Sequence, residues 1–94
     1  MEMHILRIEH STPDFDAWKQ AFDSDPVGRE RGGVRRYRIL RQVDDPSYVM
    51  IDLEFDSSSE AETFFAGLQD LWSRVDLMRD PKGRIVEIVE SKEY

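Results

Sequence analysis

Cysteine and asparagine are missing from this 94-residue chain, lysine occurs three times, and no apolar run approaches the roughly 18 residues of a membrane span. Without cysteine there can be no disulfide, no thiolate nucleophile and no cysteine-ligated zinc or iron–sulfur centre, and a reducing cytoplasm is the expected location. The opening MEMHILRIEH has neither the basic segment nor the long apolar core of a secretory signal, so no membrane association is expected. The two histidines, His4 and His10, lack the spacing of a metal pair, and neither metal nor cofactor is expected. Positive charge is scarce as well. Twenty acids against 13 bases leave a formal net charge of -7, which argues against nucleic acid as a partner, because that requires a broad cationic footprint.

What is present is enough apolar surface to fold. Hydrophobic residues make up 39% of the chain and ten are aromatic, too many for a disordered segment. One domain over residues 1–94 is expected. A domain this short buries only about 60 to 65% of its unfolded surface, so a partner subunit would add needed burial.

Residues 3–10, MHILRIEH, read as a strand ending at the turn STPD. Thr12 as N-cap and Pro13 at the first helical position start a helix near 13, with Phe15, Trp18 and Phe22 on one face until Asp25-Pro26. After the link GRERGG, residues 34–42 form a second strand, QVDDPS a turn, and residues 48–55 a third strand with strict alternation. Ser57, with Glu60 three residues on, caps a second helix whose apolar face is Ala61, Phe64, Phe65, Leu68, Trp72 and Val75. DPKG reads as a turn and residues 84–90 as the last strand. The order β-α-β-β-α-β is that of a ferredoxin-like α+β sandwich, an antiparallel sheet with both helices on one face.

One stretch departs from the overall composition. Between residues 27 and 41, VGRERGGVRRYRILR holds six arginines and one acid. If strands two and three form a hairpin, the register that groups Tyr37 and Ile39 with Val49, Ile51, Leu53 and Phe55 puts Arg36 and Arg38 opposite Asp52 and Glu54 on the other face, with Arg7 able to join them. The first reading is a salt-bridge ladder. The second is a charge-lined concavity, with Arg36, Arg38 and Asp52 binding a polar or anionic small molecule. Arg29 and Arg31, in the link, are expected to be solvated.

Single residues carry parallel readings. His10, at the end of strand one beside the first helix, has the position for a general base near neutral pH, or for a structural bond to a turn. Trp18 and Tyr37 lie on the helix side, where each can pack in the core or line a ligand pocket.

LRIEHSTPDFDAWKQAF, with Asp14 and Trp18 four residues apart, then GVRRYRILR, DDPSYVMIDLEF and SSSEAETFFAGL, resembles a bacterial branch of the dimeric α/β-barrel superfamily, near the antibiotic biosynthesis monooxygenase-like proteins. The resemblance implies a homodimeric barrel with the open sheet faces together, and a cofactor-independent monooxygenase-like reaction on an aromatic or polar metabolite, with His10 as the catalytic residue. A non-catalytic homodimer that binds a ligand or a partner protein is the alternative. The haem-degrading branch of that superfamily uses an Asn, Trp and His set that a chain without asparagine does not hold.

Overall fold

The computed structural model describes residues 3–94. Six elements follow in order: β1 (His4–Ser11), α1 (Phe15–Asp23), β2 (Arg36–Gln42), β3 (Asp45–Phe55), α2 (Ser58–Trp72) and β4 (Arg79–Glu87). The four strands make one antiparallel sheet in the order β2-β3-β1-β4, with both helices on one side. This is the ferredoxin-like sandwich expected from the element order.

Strand alternation separates two chemistries across the sheet. Leu6 and Ile8 of β1 and Val49, Ile51, Leu53 and Phe55 of β3 are buried beneath the helices, where they meet Trp18, Ala61 and Phe64. The opposite face is built in cross-strand rows: Arg36–Glu54–Ile5–Val86, then Arg38–Asp52–Arg7–Arg84, then Leu40–Met50–Glu9–Lys82. A slip of one residue would bury the second set, so the hydrophobic pattern enforces the register. On the helix side α2 packs closely on β1, β3 and β4, and one contact sets its height. The ring of Phe65 lies on the bare backbone of Gly83, where an added Cβ would stand 2.6 Å from Cε1.

Several boundaries differ from the sequence reading; β2 begins at Arg36 rather than at residue 34, and β4 ends at Glu87 rather than at residue 90. The N-cap of α1 is Asp14, whose carboxylate accepts the Ala17 amide at 3.1 Å, while Thr12 is buried and donates its hydroxyl to the Leu77 carbonyl at 2.8 Å. The β2–β3 hairpin turns at Val43-Asp44, so β3 begins at Asp45; Pro46, with no N–H to give, lies beside a register shift at Arg41/Gln42. Helix α2 stops at Trp72 with a Ser73 C-cap, leaving Val75 outside the helix. DPKG is not a free turn but part of β4. Asp80 takes a left-handed φ of 57°, and Asp80 and Pro81 together oppose the single residue His10, a bulge that keeps the strand paired with β1.

Candidate functional site

A cavity of about 260 Å³ lies between the two helices and the sheet. Trp18 and Phe22 of α1, Phe64 and Trp72 of α2, and Ile51 and Leu53 of β3 supply much of its wall. The aromatic spacing in α1 that predicted a buried stripe also makes one side of this space: Phe15, Trp18 and Phe22 stack in sequence, with ring centroids 5.7 and 5.3 Å apart. Leu77 and Met78 close another side, and the Thr12–Leu77 hydrogen bond ties that segment to the start of α1. An apolar cavity of ~150 Å³ holds one benzene-sized ring, so this one has room for one or two fused rings and not for a porphyrin. Among its wall residues there is no histidine, cysteine or tyrosine to serve as an axial haem ligand.

His10 sits at the β4 bulge, fully buried, its ring 5.0 Å from the Trp18 ring. Its Nδ1 lies 3.1 Å from the Ser11 carbonyl, an acceptor, which assigns the proton to Nδ1 and leaves the lone pair on Nε2. That Nε2 is buried with no hydrogen-bond partner among the described residues. Burial pushes the imidazole below its usual pKa, and the Ser11 carbonyl offsets this only in part. The ring is therefore neutral at pH 7 with an available basic nitrogen. Trp18 touches both it and the cavity, of which His10 is not a wall residue.

The residues singled out from the sequence divide into two groups. Trp18 lines the cavity and His10 packs against its ring; Tyr37, 42% exposed on the edge strand, packs edge-on against Phe22 at 5.0 Å. Arg36, Arg38 and Asp52 are on the other side of the sheet, so they do not share a pocket with the first three. There the arginines are partnered. Arg7 grips Asp52 with two hydrogen bonds of 2.8 and 2.9 Å, Arg38 approaches the same carboxylate at 3.4 Å, and Arg36 pairs with Glu54. The hydrogen bonds from Arg7, and its charge, hold the Asp52 carboxyl below the usual carboxylate pKa against the opposing effect of burial.

Arg29 is a wall residue that the sequence reading placed in solvent. Its side chain is only 17% exposed, with the guanidinium 4.0 Å over the Phe22 ring and 5.1 Å from that of Tyr37. The signal available in the sequence was a cation seven residues after an aromatic, across a tight Asp-Pro turn. The left-handed Asp25 (φ 53°) folds the chain back there, and no helical or strand periodicity encodes that return.

No family model matches the chain, and no curated protein matches it in sequence. Solved structures do match in shape. A candidate antibiotic biosynthesis monooxygenase from Nitrosomonas europaea superposes with a TM-score of 0.68 at 20% identity, over 93% of this chain and 90% of that one. SnoaB, a cofactor-independent oxygenase from Streptomyces nogalater, gives 0.74 at 13% identity over 96% and 95%. A dimeric ferredoxin-like protein from an uncultured marine organism gives 0.68 at 13% identity over 97% and 98%. The chain has the ferredoxin-like fold of the antibiotic biosynthesis monooxygenase-like structures. At these identities the likeness concerns the fold, and function must be argued from the site. Among the described residues no helix is long and apolar enough to cross a membrane.

Proposed function

We propose that this protein binds a small planar aromatic molecule in the cavity between α1, α2 and the sheet. The observation that carries the reading is a space of about 260 Å³ walled by two indoles and two phenyl rings, which the protein's own side chains do not fill. Because Trp18 and Trp72 are the only tryptophans and both face it, ligand entry reports directly on indole emission. Titration with 2-naphthol is expected to quench that emission saturably, with one ligand per chain. Ala21 also lines the cavity. Ala21→Phe should abolish the quench while the circular dichroism spectrum stays that of the parent. Undiminished binding in the folded variant would place the ligand elsewhere.

A second reading adds turnover, and the unpartnered Nε2 of His10 favours it. A neutral imidazole next to an apolar cavity can take a proton from a one- or two-ring quinol, and the resulting phenolate reacts with dioxygen, one oxygen atom going to the hydroxyquinone product and the other to water. His10 is not a wall residue of the cavity, so the Trp18 indole that touches both must rotate for the proton to pass. Oxygen uptake with naphthalene-1,4-diol should fall at least about a hundredfold in His10→Ala, in the range typical of losing a general base. An unchanged rate would leave the protein as a binding module.

The reading includes a cytoplasmic homodimer. Among the described residues no helix covers the face bearing Arg7, Arg36, Arg38, Asp52 and Glu54, and Leu40 stands 39% exposed there. A second copy, as in the dimeric ferredoxin-like structure, would cover it.

A further inference from the structure

We propose that the cavity selects aromatic acids, with Arg29 as the residue that receives the ligand's carboxylate; this rests on the cavity being a binding site. The wall contains two charged side chains, Arg29 and Asp25. Asp25 is already committed: its Oδ1 accepts the Arg29 amide at 2.8 Å and lies 3.7 Å from Nη1 of the same residue. On the guanidinium, Nη1 donates to the Phe22 carbonyl at 2.7 Å, while Nε and Nη2 have no acceptor among the described residues. The side chain is 17% exposed as a whole, but neither free donor is a buried atom, so both keep contact with water and are open to a ligand acceptor that displaces it.

The geometry of that free edge suits one chemistry. Stacking on Phe22 and Tyr37 holds the guanidinium plane, and the Phe22 bond and the Asp25 contact hold one end of it, so little side-chain freedom remains to be lost when a ligand arrives. Two parallel N–H groups on one side of a planar fork match the two oxygens of a carboxylate. The rest of the wall is apolar and aromatic and takes the ring system. In contrast to Arg7, Arg36 and Arg38, each facing an acid across the sheet, Arg29 is the arginine among the cavity's wall residues. The net charge of -7 gives no long-range attraction for anions, so any preference for an acid must arise from this local contact.

Parallel fluorescence titrations with 2-naphthoate and 2-naphthamide, which share a ring and differ in charge, test the assignment on the unaltered protein. Naphthoate should bind at least about tenfold tighter, the effect expected of a charge-assisted hydrogen-bonded pair. Arg29→Gln should bring the two affinities together by weakening naphthoate alone, and Arg29→Lys should restore part of the difference. Equal affinity of both probes for the unaltered protein would overturn the charge selection while leaving the cavity intact as a binding site. Failure of both probes to bind would overturn the cavity reading itself. Should Arg29→Gln not fold, the comparison on the unaltered protein and on Arg29→Lys decides the matter.

Discussion

Trp18→Ala should lower folding stability by about 4 kcal/mol, as measured by urea unfolding. Trp18 is 5% exposed and touches Phe15, Phe22 and His10 while forming part of the cavity wall, so truncation removes a large buried surface from a core that is already not full. For a domain whose total stability is expected near the low end of about 5–15 kcal/mol, that loss leaves a large unfolded fraction at 37 °C. The same change joins the existing cavity to the space beside His10. Added indole should then refill the site and stabilise the variant by mass action, recovering about 2.7 kcal/mol at a hundredfold excess over its dissociation constant. A cost under about 1 kcal/mol, or no recovery with indole, would mean that Trp18 is not the partition between the histidine and the cavity.

Asp52→Ala should cost about 2 kcal/mol at pH 7, through loss of the charge-assisted bonds from Arg7 and Arg38. The cost stays below that of a fully buried pair because Arg7 and Arg38 keep 46% and 67% of their side-chain surface in water and remain hydrated when released. Its pH dependence has a definite sign. The folded carboxyl is held below its ordinary value of 3.8, so its contribution is fully present above that value and is lost as the pH falls through the folded pKa. The stability difference between parent and variant should therefore be level from pH 7 down to about 5 and shrink in stronger acid. A difference that instead disappeared on raising the pH would contradict the ion pair. Because Asp52 faces the side proposed to meet a second copy, light scattering of the parent should give twice the 11.1 kDa chain mass, with a shift toward the monomer in the variant.

Alternation made the sheet legible. With Val49, Ile51, Leu53 and Phe55 assigned to one side, Arg36 and Arg38 had to share the other with Asp52 and Glu54, as they do; which arginine meets which acid is set by the register, Arg36 opposite Glu54 and Arg38 opposite Asp52. Helix α2 was equally plain, since Ser57 and the spacing of Ala61, Phe64 and Phe65 agree; its end was not, because Val75 fits the apolar period yet lies beyond the Ser73 cap. Asp80-Pro81 and Lys82-Gly83 carry strong turn signals, which pairing with β1 overrides by bulging the strand. The candidate site was only half readable. Trp18 and His10 stood out as residues, but their order relative to the cavity depends on how far α1 stands from the sheet, a tertiary quantity that no local pattern carries. Arg29 went unrecognised because a link between elements has no period from which burial can be inferred.

Gly83 extends that last point to a residue with no place in the site. It allows Phe65 to rest on the strand, and Phe65 in turn meets Trp72 edge-on with ring centroids 5.9 Å apart. A single hydrogen in place of a methyl group thus acts as a spacer for the ceiling of the cavity. Related chains that carry alanine or serine at this position would have a taller chamber and accept bulkier guests, without any change among the side chains that touch them.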